Sequence, residues 1–320
     1  MKGREFFFAF CFALQSSGAT LACDFIAETP TGGELRVGVS VAPQKYIVDR
    51  IGGDAVSVQV LIPAGADPHA YEPGPEQLRI LSDLTVYFRQ GLEFETACLR
   101  RLRGINAGMR VVDLGPDTIR PPSAAPGDPR YASDQEENRS SVADKDHLSE
   151  SYAHAHGGHL NPHTWLSPRL VRVQSDVILA TLTELRPEHR SRFERGHSEF
   201  RAEVDRVDAY VRRRLAPLRD RLLVVYHPSW EYFARDYGLR MLAVQESGHD
   251  PSARDLMKLV QLSRAAGVKT IFAEPGFNQR SVRVVARDID ARVEIIDPLA
   301  ADWAQNMCDT ADQIAEALQP

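Results

Sequence analysis

The chain has 320 residues, 43% hydrophobic and 26% charged, which is enough apolar material for a real core and more length than one domain usually takes. With 38 Lys and Arg against 44 Asp and Glu the net charge is −6, which argues against a phosphate-backbone partner, so no nucleic-acid role is expected. Four cysteines are too few for a disulfide scaffold or a thiolate metal site.

The N-terminus opens with Lys2 and Arg4, continues in an apolar run from Phe6 to Leu14, and then turns to small residues before Cys23. That order is a secretory signal peptide over residues 1–22, too short to span a bilayer, and it places the mature protein in the periplasm. Thr20-Leu21-Ala22-Cys23 also resembles a bacterial lipobox, with Thr where Leu is usual, so anchoring through a lipid on Cys23 stays open. Cys98 and Cys308 lie in the folded body, where an oxidising compartment would allow them to pair if their geometry permits.

Beyond the signal, short β-rich runs alternate with helical segments. Strands are expected from Leu35 (LRVGVS), Val56 (VSVQVLI), Leu84 (LTVYF), Arg110 (RVVDL), Leu222 (LLVVYH), Val268 (VKTIFAE) and Val293 (VEIID). The stretch PSARDLMKLVQLSRAAG has helical spacing, with Leu256, Leu259, Val260 and Ala265 near one stripe. Strands alternating with helices imply an α/β fold with mainly parallel sheets flanked by helices.

Two regions break the rhythm. Residues 120–159 are rich in Pro, Ser, Asp, Glu and His without an apolar period, the pattern of a long mobile loop. Residues 187–215 read as one long helix, because Phe193, Phe200, Val204, Val207, Val211 and Leu215 recur three, four or seven apart. Gly196 inside it costs about 1 kcal/mol relative to Ala. The expected organisation is an N-terminal lobe over 34–186, a single rigid connecting helix over 187–216 and a C-terminal lobe over 217–320.

In open parallel sheets ligands bind beyond the carboxyl ends of the strands. His69 (GADPHAYEP), His163 (NPHTWLSP), His227 (VVYHPSW) and Asp297 (VEIIDP) lie at such ends or in adjoining loops. Each has a bland alternative: a lone histidine is usually a hydrogen-bonded or surface residue, and Asp before Pro is an ordinary turn former. Spacing alone leaves the constellation weak.

GADPHAYEP, NPHTWLSP, VYHPSWEYFARDYGL, GHDPSARDL, IFAEPGFN and IIDPL occur in the order and context of the metal-binding receptors of bacterial ABC importers for zinc and manganese. The chain resembles that family from about Leu35 onward. The resemblance implies two α/β lobes joined by one rigid helix, with the metal between them. It also implies His69 and His163 as N-lobe ligands, and His227 and Asp297 as C-lobe ligands. Three imidazoles and one carboxylate suit Zn²⁺, whereas Mn²⁺ favours more oxygen donors. The expected function is high-affinity zinc capture and delivery to an ABC permease driven by a cytoplasmic ATPase, by a monomeric protein. A manganese-preferring receptor of the same fold is the alternative.

Five of the ten histidines fall between His147 and His163. His163 belongs to the site because PHTWLSP carries it, while His147, His154, His156 and His159 belong to the preceding acidic loop and are candidate auxiliary metal ligands. A merely solvated linker is the competing explanation. His249 reads as a surface-loop residue, and Glu274 as a residue that orients a ligand histidine. An exported zinc-dependent hydrolase and an adhesin are rival classes. The chain has no His-Glu-x-x-His helix and no nucleophile motif, so no enzyme is expected.

Overall fold

The computed structural model describes residues 34–319 except 64, 67, 69, 70, 116–160, 246–252 and 276–278. The signal segment, Cys23, His69, the four loop histidines and His249 therefore lie outside the described residues. Residues 34–320 form one compact unit.

Two four-stranded, wholly parallel sheets carry the fold. The first contains β1 (Leu35–Val39), β2 (Val56–Val60), β3 (Val86–Arg89) and β4 (Arg110–Asp113) in the order β2-β1-β3-β4. The second contains β5 (Leu222–Val225), β6 (Arg240–Ala243), β7 (Thr270–Ala273) and β8 (Arg292–Ile295) in the order β6-β5-β7-β8. Each order reverses beside its first strand, so each sheet has a switch point, between β1 and β3 and between β5 and β7. Seven of the eight strands among the described residues coincide with the expected runs. The eighth, β6, carries no composition signal of its own: it follows helix α6 (Glu231–Tyr237) after Gly238, whose left-handed backbone (φ 73°) ends that helix.

Successive side chains of a strand point to opposite faces, and this sorts the core. Val37, Val39 and Phe88 of the first sheet and Leu223, Val225 and Phe272 of the second belong to one continuous apolar cluster. Val224, Leu242 and Ile271 face a separate layer that includes Val282 and Val285 of α8 (Gln279–Asp288). The continuous cluster runs through α5 (Arg190–Leu215), whose Phe193, Phe200, Val204, Val207, Val211 and Leu215 are all buried. Its 26 residues span ~39 Å. A 3-10 turn over Pro187–His189 precedes the α-helix, because Pro187 supplies a helical φ but no N–H to extend the ladder.

Helix α5 packs against α1 (Ala42–Gly52), α4 (Pro168–Leu185) and the C-terminal α9 (Trp303–Leu318). Gly196 is where α1 approaches. A Cβ there would lie 2.6 Å from the Ile51 carbonyl oxygen and 2.7 Å from that of Arg50. The glycine that helix propensity counts as a cost is thus a requirement of close backbone packing. Cys98 and Cys308 are free thiols. Among the described residues no helix is long and apolar enough to cross a membrane.

Candidate metal centre

Both switch points carry buried polar residues. At the second, His227 follows β5 by two residues and Glu274 directly follows β7, and both are buried. At the first, Ser40 follows β1 and Gln90 follows β3, again buried. The two ends are built for different tasks. Ser40 and the backbone N–H groups of Gln90, Gly91 and Leu92 all donate to the Glu95 carboxylate, which closes the first turn of α3 (Glu93–Ile105). Burial pushes the Glu95 carboxyl up, against the downward pull of those donors.

From that frame two glutamines reach the segment carrying His163. Gln90 Nε2 donates to the Pro162 carbonyl at 2.9 Å and to Thr164 Oγ1 at 2.5 Å. Gln174 Nε2 donates to Thr164 Oγ1 at 3.0 Å and to the Leu114 carbonyl at 2.9 Å. Downstream, Ser167 caps α4 by accepting the Leu170 N–H at 3.2 Å, with Pro168 at the first helical position. Residues 161–167 have little regular structure, so bonds of this kind supply the order that a ladder would otherwise give.

His163 and His227 come together. Their ring centres are 5.1 Å apart at an interplanar angle of 71°. Two imidazoles on one tetrahedral zinc, each nitrogen ~2.1 Å from the ion, put their ring centres about 5 Å apart. The tautomers fit too: His163 Nδ1 lies 2.7 Å from Asn161 Oδ1, and His227 Nδ1 lies 3.0 Å from Gln245 Oε1. An amide oxygen only accepts, so each Nδ1 carries the proton and each Nε2 carries the lone pair that a metal needs.

Asp297 follows β8 by two residues and is half-buried. One of its carboxylate oxygens accepts the Leu299 N–H at 2.8 Å, and its carbonyl accepts from Asn306 Nδ2 at 2.8 Å. Trp165, whose ring centre is 5.1 Å from that of His163, donates its indole N–H to the Pro298 carbonyl at 2.7 Å. The Asp297 turn is thereby pinned to the His163 segment. Among the described residues no group of three His, Cys, Asp or Glu side chains is placed to hold one ion. Of the expected ligands the structure pairs His163 with His227, holds Asp297 in the adjoining turn, and leaves His69 outside its described residues.

Sequence reasoning missed the residues that hold the histidines. Gln245 follows β6, so overlooking that strand hid the partner of His227. Asn161 stands in the quoted NPHTWLSP stretch, yet nothing in its spacing marks an amide as an orienting group. Glu274 accepts the hydroxyl of Ser229, two residues beyond His227.

The family model for ZnuA, zinc-uptake complex component A periplasmic, matches residues 37–317. A crystal structure of a zinc-bound ZnuA deletion mutant is 36% identical, with 90% of this chain and 100% of that one covered and a TM-score of 0.73. The high-affinity zinc uptake system protein ZnuA of Bacillus subtilis (strain 168) is 24% identical over 296 residues, 92% of this chain and 87% of the relative. The manganese-binding lipoprotein MntA of the same organism is 23% identical over 256 residues, 79% of this chain and 74% of the relative. So small a difference in identity does not separate zinc from manganese. The donor atoms of the site have to.

Proposed function

The chain belongs to the family of periplasmic zinc-uptake component A proteins, and from that premise we propose that it captures Zn²⁺ outside the cytoplasmic membrane and delivers it to an ABC permease for import. The observation that carries the choice of metal is the His163 and His227 pair, 5.1 Å between ring centres with both Nδ1 atoms on amide oxygens. His69 and Asp297 complete the site, giving three borderline nitrogens and one carboxylate, a set that favours zinc over manganese. Glu274 steadies the His227 turn through Ser229.

The remaining assignments follow from the same reading. Residues 1–22 are removed on export, with or without a lipid on Cys23, and the mature chain acts as a monomer. Lobes over 34–186 and 217–320 face each other across the helix of 187–216. The apolar cluster shared by both sheets supports a receptor whose lobes move little relative to each other, since a large hydrophobic interface opposes domain motion. His147, His154, His156 and His159 serve as a secondary, weaker zinc store.

The test is a competition titration of the exported protein with zinc and manganese in one buffer. One tight equivalent with zinc preferred is expected; tighter manganese binding overturns the assignment. His227→Glu exchanges a nitrogen for a hard, charged oxygen. It should narrow the zinc-to-manganese affinity ratio without inverting it, because the order of first-row metals still favours zinc. An unchanged or wider ratio removes His227 from the determinants of preference.

A further inference from the structure

The amide of Asn161 has two donor and two acceptor positions, and all four are used. Nδ2 donates to the Pro228 carbonyl at 2.9 Å and to Glu231 Oε2 at 2.8 Å. Oδ1 accepts the backbone N–H of His163 at 3.0 Å and the ring Nδ1–H of His163 at 2.7 Å. The backbone joins in, since the Asn161 carbonyl accepts the Tyr232 hydroxyl at 2.8 Å. The Pro228 carbonyl can only accept, so the atom facing it must be the NH₂ group, and this fixes the amide with its oxygen toward His163. Pro228 is the residue after His227. Asn161 is 6% exposed, so water competes little for these bonds.

We propose that Asn161 is a positioning residue that sets the tautomer and orientation of His163 and locks it in register with the turn carrying His227. One side chain thus does two things at once. Its oxygen selects the Nδ1–H tautomer, which leaves Nε2 as the ligating nitrogen. Its nitrogen clamps the His163 segment to the Pro228 carbonyl and the first turn of α6, so the two imidazoles keep their spacing before any metal arrives. Such preorganisation removes ordering cost from the binding step.

This inference rests on the receptor reading for its affinity measurement but not for its tautomer measurement, and the two are tested separately. The variants are Asn161→Ala, which removes both functions, and the double variant Asn161→Asp with Glu231→Gln. The pair keeps the net charge and exchanges donor and acceptor between positions 161 and 231: a carboxylate at 161 still accepts from His163 and an amide at 231 donates back, but the bond to the Pro228 carbonyl is lost, because a carboxylate has no donor to offer it. Nitrogen-15 spectra of the zinc-free proteins, taken where the ring is neutral, report the tautomer of His163. Zinc affinity is read by competition. The expected result is a single Nδ1–H tautomer in the parent, mixed tautomers and a 10–100-fold weaker zinc affinity in Asn161→Ala, and in the double variant recovery of the single tautomer with an affinity between those of Asn161→Ala and the parent. A His163 tautomer that does not change in Asn161→Ala overturns the proposal, as does an affinity within two-fold of the parent. A parent chain that binds no zinc tightly overturns the receptor reading instead, and the spectra still decide the role of Asn161.

Discussion

The apolar stripe of the long helix α5 and the two histidine turns are both buried, yet they are held by opposite means. Helix α5 presents a stripe of six apolar side chains to a core that continues into both sheets, and its order comes from area removed from water. The turns at residues 161–165 and 226–230 present Asn161, His163, Thr164, His227 and Ser229, all but fully buried, and their order comes from directional bonds to Gln90, Gln174, Gln245 and Glu274. Burial without direction tolerates repacking and builds a frame. Burial with direction fixes single atoms in place, as a metal site requires.

The comparison breaks most visibly at the frame. Phe200 is fully buried, with its ring 6.0 Å from that of Trp303 and 6.4 Å from that of Tyr46, so Phe200→Ala should cost about 3–5 kcal/mol of stability. Chemical denaturation measures the loss, and zinc affinity of the folded fraction should stay within a few-fold. A drop in affinity as large as the drop in stability would mean that frame and site are not separable.

His163→Ala is the converse. Losing a ligand should cost more than the 10–100-fold that loss of an orienting partner costs, while the circular dichroism of the metal-free protein stays that of the parent. His69→Ala should behave alike, and affinity should fall from pH 7 toward pH 5 because an imidazole must shed its proton to ligate. Unchanged affinity in either variant removes that residue from the site.

Gly196→Ala sharpens the account of the frame. Helix propensity predicts a gain of about 1 kcal/mol, whereas the 2.6 Å approach to a backbone carbonyl predicts a net loss of about 1–3 kcal/mol. A higher melting temperature in the variant would mean that α1 gives way without penalty. The smallest effect is expected from deleting residues 138–158: tight zinc affinity within a few-fold, but fewer weak zinc equivalents. If the deletion destroys the tight site, the auxiliary-store proposal fails.

The β-rich runs and the helical apolar period were enough to announce the α/β class, seven of the eight described strands and the entire stripe of α5, because both signals are written locally and burial along them is cumulative. The quoted motifs also put His163 and His227 in one candidate set with His69 and Asp297. Strand β6 escaped because its four residues, Arg240–Ala243, include no β-branched or aromatic side chain and follow a helix after only Gly238 and Leu239. Gly196 was misread because propensity counts only the helix it sits in, and the neighbour that matters is 145 residues away in the α1 backbone at Ile51, a contact no local rule registers. The roles of Asn161 and Gln245 lay equally beyond the sequence, since an amide shows its purpose only once its partners are in place. What sequence determined on its own was which residues leave water and which types of donor the chain carries. Only the tertiary structure decided which nitrogen of each imidazole bears the proton, because a hydrogen bond depends on direction and on partners that folding brings from 18 residues away for Gln245 and from 67 for Pro228.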